Sequence, residues 1–166
     1  MQQISWYAAH TKPRNEKKSA GLLLNKGVEV FLPLQKTLKQ WSDRKKWVEI
    51  PLINSYIFVK TDLSDYLEIL NTPGIVRIIG FEGKPVPIPD KQIDTLKAII
   101  SENIEAEATT EFIPEGKKVE ILYGSLKGLT GELISYRGKK KILIRLEIIN
   151  TSVKLNIPAN FVKEIR

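Results

Sequence analysis

Residues 51–60, Pro51-Leu52-Ile53-Asn54-Ser55-Tyr56-Ile57-Phe58-Val59-Lys60, restrict the fold more than any other stretch. Asn54-Ser55 is a turn signal. The run after it is rich in β-branched and aromatic side chains, which suit a pleated surface. Side chains alternate across a strand, so Tyr56 and Phe58 share one face and Ile57 and Val59 the other. A strand apolar on both faces is a central one, covered on each side. The chain's own helices supply one cover. For the other, two readings stay open: more of the protein's own core, or a partner seated on two neighbouring aromatics.

The 166 residues suit one medium domain or two small ones, and an apolar fraction of 42% is enough for true cores. No run of about 18 apolar residues exists to span a membrane. The start, Met1-Gln2-Gln3-Ile4-Ser5-Trp6, lacks the basic head and long apolar stretch of a signal peptide. With no cysteine, disulfides, thiolate catalysis and cysteine zinc sites are excluded. Together these features predict a cytoplasmic protein.

Charge divides the chain. Residues 1–101 carry +5, residues 102–111 carry −4 and residues 112–166 carry +6. Two basic segments joined by an acidic one suggest two domains that each tolerate a polyanion nearby. Nucleic acid, or a ribonucleoprotein, is then the leading class of partner; a generally basic soluble protein is the plainer reading.

Residues 4–10 read as a strand with Ile4, Trp6, Ala8 and His10 on one face. Asn15 is a candidate N-cap and Gly27 a helix stop, with Ala20, Leu23 and Leu24 at core spacing between them. Residues 28–32 form the next strand. Residues 34–50 predict a projecting hairpin turning at Ser42-Asp43-Arg44. It carries Lys36, Lys39, Arg44, Lys45 and Lys46, with Trp41 and Trp47 interleaved. Cations with exposed aromatics follow a phosphate backbone and stack on bases; alternatively, the tryptophans fold back onto the domain. A short helix ends at Leu70 with Tyr66, Leu67 and Leu70 inward, and Asn71-Thr72-Pro73-Gly74 turns the chain. Residues 75–79 predict a buried strand. The prolines of 84–89 restrict that piece to an edge, and a helix runs from Pro89 to about Ser101 with Ile93, Leu96 and Ile100 on its apolar face.

Residues 102–111, ENIEAEATTE, are acidic and poor in large apolar side chains, and are expected to be a flexible linker. Residues 112–166 then hold five short alternating strands, which predict a small barrel. Val119 and Ile121 point inward on the first. Ile142, Ile144, Leu146 and Ile148 alternate on the third, and Val153, Leu155 and Ile157 on the fourth.

Catalytic chemistry is hard to assemble here. The one histidine, His10, would have to serve any triad, and neither a Gly-x-Ser-x-Gly elbow nor a phosphate-binding Gly-Lys-Ser/Thr loop is present. Carboxylates are scattered, so no metal or other cofactor is expected.

Several words in order carry a resemblance: Trp6-Tyr7 and His10-Thr11 at the ends of the first strand, the Pro51–Val59 pattern, Asn71-Thr72-Pro73-Gly74, and Gly80. These resemble the N-terminal domain of the NusG family. Gly116, Val119, Tyr123-Gly124, Gly128-Leu129 and Thr130-Gly131 resemble the KOW motif of its C-terminal barrel. Residues 12–18 and 41–47 resemble the UpxY-type antiterminators of capsular-polysaccharide operons and, more distantly, RfaH.

The resemblance implies an α+β fold. It has an N-terminal domain (1–101) with a mainly antiparallel four-stranded sheet flanked by helices, then the linker (102–111) and an SH3-like barrel (112–166). It implies a monomeric, non-enzymatic elongation and antitermination factor acting at specific operons. The alternatives are the general NusG factor, or a KOW-containing ribosomal or RNA-binding protein. Tyr56 and Phe58, with Ile53 and His10 at the edge, would bind the clamp helices of the RNA polymerase β′ subunit. Lys12, Arg14, Asn15, Lys17 and Lys18, with Lys39, Arg44, Lys45 and Lys46 of the hairpin, would meet DNA of the transcription bubble or nascent RNA. Asn15 could read a base edge, the cations holding phosphates. Tyr123, Gly124, Leu126 and Leu129 would face the barrel's partner, a small-subunit ribosomal protein or Rho.

Overall fold

The computed structural model describes residues 3–166. The chain forms two compact units, divided between Asp94 and Thr95.

In the first unit, strand β1 (Ser5–Thr11) leads to helix α1 (Glu16–Asn25) and strand β2 (Glu29–Phe31). Strands β3 (Leu34–Gln40) and β4 (Lys45–Pro51) make a separate two-stranded ribbon. Strand β5 (Tyr56–Thr61), helix α2 (Tyr66–Leu70) and strand β6 (Ile75–Ile78) complete the main sheet. Its order is β2-β5-β1-β6, antiparallel throughout, so β5 has a neighbour on each side as its composition requires. A minimal ribbon, β7 (Gly80–Phe81) with β8 (Lys84–Pro85), follows, and Ile88 bridges to Trp6. Helix α3 (Asp90–Ser101) runs across the division between the units.

One face of the main sheet holds a core built from Tyr7, Ala9, Ile57, Val59, Ile75 and Ile78, packed with Ala20 and Leu23 of α1 and Ile69 of α2. The buried stripe of α1 is Glu16, Ser19, Ala20 and Leu23, an i, i+3, i+4, i+7 pattern. Leu24, read as core, is exposed because it falls off that stripe. Asn15 precedes the helix but makes no side-chain cap; its carboxamide donates to the Pro13 carbonyl at 3.0 Å. Gly74 (φ +90°) is required on two counts: its backbone is left-handed, and a Cβ would collide with Ser19 Oγ.

Four other expectations differ in detail. Ile4 is exposed and precedes β1. On α2, Ile69 is buried and Leu67 exposed, since one short turn presents only one inward position fully. On α3, the buried apolar side chains are Ile93, Leu96 and Ile99 rather than Ile100. β6 is an edge strand, which leaves Val76 exposed.

The second unit is a six-stranded antiparallel sheet, in the order β14-β10-β11-β12-β13-β9. Its strands are β9 (Ala106–Thr109), β10 (Lys117–Ile121), β11 (Thr130–Tyr136), β12 (Lys139–Leu146), β13 (Thr151–Leu155) and β14 (Val162–Glu164). Val119, Ile121, Ile142, Leu146, Val153 and Leu155 are buried as their alternation predicts. Ile148 lies in a 3-10 turn and Ile157 beyond β13, so both leave the strands assigned to them.

The stretch expected to be a flexible linker is ordered at its centre. β9 pairs with β13 from Ala106↔Leu155 to Thr109↔Ser152. Its acids find partners there instead of standing free in solvent. Glu107 lies 3.5 Å from the Lys154 ammonium, Glu105 accepts from Asn156 at 2.9 Å, and Glu111 accepts from the Tyr136 hydroxyl at 3.0 Å. Lys154 is buried, with its ammonium 3.6 Å from the centre of the Tyr136 ring. Further along, the Glu132 carboxylate takes Arg145 Nε at 2.6 Å and the Gly116 amide at 3.0 Å. This charged hydrogen bond raises the Arg145 pKa above its ordinary value.

Candidate functional site

The residues expected to form one aromatic ledge divide into two classes. Phe58 is 1% exposed and Ile53 2% exposed. Phe58 lies opposite Ala8 of β1 and Phe31 of β2, and its ring stacks on Phe31 at 6.1 Å between centroids. Phe58 and Ile53 are therefore floor, not contact surface, in this structure. The physical reason is position: Phe58 sits mid-strand with a paired strand on each side. Tyr56 sits at the strand end, where cover runs out. It is half-buried and faces His10 directly across the ladder, with ring centroids 5.2 Å apart. Tyr56 and His10 thus form an aromatic step at the open end of β1 and β5.

The loop beneath that step is fixed from α1. The amide of Ser55 (φ +63°) donates to buried Glu16 Oε1 at 2.8 Å, and the Thr11 amide donates to the Ser55 carbonyl at 2.8 Å. A carboxylate at the first turn of a helix suits the helix dipole as well as this amide. Sequence reading placed Glu16 at the helix start without its second task. Two polar atoms nearby, His10 Nδ1 and Thr11 Oγ1, are buried without a partner.

The basic residues form two groups joined at one point. Lys12, Arg14, Lys17 and Lys18 are exposed around the start of α1, with Arg14 in the left-handed region (φ +64°). Lys17 donates to the Glu49 carbonyl of β4 at 2.6 Å, so the start of α1 and the base of the ribbon are held side by side. Asn15 is half-buried and its amide is spent on Pro13, which leaves it poorly placed to read a base.

On the ribbon, Lys36, Lys39, Arg44, Lys45 and Lys46 are all exposed, and none enters an ion pair among the described residues. The turn closes by the Trp41 amide donating to the Arg44 carbonyl at 2.7 Å, and the Arg44 guanidinium lies 5.3 Å from the Trp41 ring centre. Both tryptophans are exposed, Trp41 by 43% and Trp47 by 66%, so the reading in which they fold back is overturned. Leu38, which sequence reading passed over, pairs directly with Trp47. Counting back evenly from the turn would have found it.

In the second unit, Leu126 is 3% exposed and anchors the loop rather than facing a partner. Tyr123 is exposed and meets Phe161 edge-on at 5.8 Å; Gly124 (φ +83°) turns the chain beside it, and Leu129 is half-buried.

Among the described residues, no cluster of three metal-ligating side chains occurs, and no helix is long and apolar enough to cross a membrane.

Known proteins resemble this chain in sequence and in fold. A family model described as "Transcription termination factor nusG" matches residues 4–97, more than half of the chain. Curated relatives named "Transcription termination/antitermination protein NusG" match nearly end to end. That of Campylobacter jejuni is 24% identical, covering 93% of this chain and 95% of the relative. That of Helicobacter pylori strain J99 is 25% identical, covering 98% and 99%. A solved structure described as "Domain interaction in Thermotoga maritima NusG" shares the fold with a TM-score of 0.61 and 16% identity, covering 99% of this chain and 98% of that one. With a family model matched over more than half of its length and a fold shared with a solved member, this chain belongs to the NusG family.

Proposed function

We propose that this protein is a non-enzymatic transcription elongation factor that binds RNA polymerase and suppresses pausing and termination at particular operons, polysaccharide loci among them. The observation that carries the reading is the family match over residues 4–97, which includes the Tyr56–His10 step. An aromatic pair at a strand end, half-open over a rigid floor, is a suitable anchor for a helical partner, because it adds contact area with little loss of side-chain freedom. In this reading Tyr56 and His10 touch the clamp helices of the β′ subunit, and Phe58 and Ile53 hold the step in place. The cations of α1 and the ribbon lie along nucleic acid in the transcribing complex. The exposed Tyr123 loop recruits a ribosomal protein or Rho.

A second reading, the general factor of the cell, is favoured by the names of relatives matched across their whole length. Depletion followed by transcript mapping separates the two: changes confined to a few operons support the specialised role, and a global change supports the general one. For polymerase binding itself, Tyr56→Ala is expected to weaken capture of RNA polymerase about tenfold or more with the fold intact. Unchanged capture would remove Tyr56 from the interface.

A further inference from the structure

The ribbon carries two features that a purely structural hairpin would avoid. The register pairs Lys39 with Lys46 directly, so two like-charged side chains leave the same face of the ribbon side by side. Such a pair destabilises the free ribbon. One position along each strand, and therefore on the opposite face, Leu38 pairs with Trp47, and these side chains stay 46% and 66% exposed. Lys45, paired with Gln40, shares the Trp47 face, while alternation places Trp41 and Arg44 with the Lys39–Lys46 pair. Five cations stand against two acids, Asp43 and Glu49, over residues 34–51.

An anion placed between Lys39 and Lys46 removes their repulsion, and a flat apolar ring placed on Trp47 removes its exposure to water. A ligand offering both at once alternates phosphates with aromatic rings. Duplex nucleic acid offers phosphates but keeps its ring faces stacked inside. A single strand offers both.

We propose that the β3–β4 ribbon binds single-stranded nucleic acid, stacking an unpaired base on Trp47 against Leu38. Lys45 takes the adjoining phosphate, and the backbone rounds the turn to the Lys39–Lys46 pair. This rests on the reading of the ribbon as a nucleic-acid surface, and it adds the choice of single strand over duplex and the residue that makes it.

The test uses the full chain and a short labelled oligothymidylate, with the matching duplex as competitor, read by fluorescence anisotropy. The single strand is expected to bind more tightly than the duplex. Trp47→Ala is expected to weaken binding roughly tenfold, while Trp47→Phe retains most of it, because stacking needs a ring and not an indole. Replacing Lys39 and Lys46 by Thr is expected to flatten the slope of log affinity against log salt by about 1.4. Affinity for oligothymidylate unchanged in Trp47→Ala, or tighter binding of duplex, overturns the stacking inference and leaves a phosphate-only surface. Binding of neither nucleic acid by the wild-type chain overturns the nucleic-acid reading of the ribbon as well, while the polymerase contact at Tyr56 is judged by its own capture assay.

Discussion

Phe58 and Trp47 are both large aromatics on strands of the first unit, and they end in opposite environments. Phe58 lies on a strand with a paired neighbour on each side and is sealed. Trp47 lies on a two-stranded ribbon that has no further neighbour in its sheet and is open. Hydrophobicity alone ranks them alike. The number of strands alongside decides which ring supports the fold and which is free for a ligand, so strand neighbours are a better guide to an interface than aromatic content.

The contrast is easiest to break at Phe58. Phe58→Ala is expected to cost about 3–5 kcal/mol, read by urea unfolding, because a fully buried ring leaves a cavity. A loss below about 1 kcal/mol would mean that this part of the sheet is not closed. Next in size is Glu16→Ala, which strands the Ser55 amide and loosens the entry to β5. About 1–3 kcal/mol is expected by the same measurement, and no change would show the amide finding water instead. Lys39→Thr should work the other way, raising stability by about 0.2–1 kcal/mol through relief of the like-charge pair and most clearly at low salt. A loss of stability would show that Lys39 is held by packing. Smallest is Trp47→Ala, expected within about 0.5 kcal/mol of wild type in unfolding although it weakens oligothymidylate binding. A large destabilisation would place Trp47 in a core after all.

Much of this arrangement was legible in the chain. The five residues from Tyr56 specify a central strand, Gly27 stops the helix before it with φ +83°, and Ser42-Asp43-Arg44 sets the ribbon's turn. What alternation could not say was how far cover extends along a strand. Tyr56 and Phe58 share a face, yet one is at the end and the other in the middle, and only pairing partners distinguish them. The acidic stretch misled for a different reason. Ile104, Ala106 and Ala108 do alternate with Glu105 and Glu107, but alanine is a weak strand signal and four acids dominate the composition. The partners of those acids, Tyr136, Lys154 and Asn156, lie well further along the chain, where local composition does not reach.

RNA polymerase capture by the full chain, comparing wild type with Tyr56→Ala at matched fold, tests the account at its centre. Binding by wild type that falls about tenfold or more in Tyr56→Ala, with an unchanged circular dichroism spectrum, is the predicted result. Equal capture by both proteins, or none by either, would contradict it.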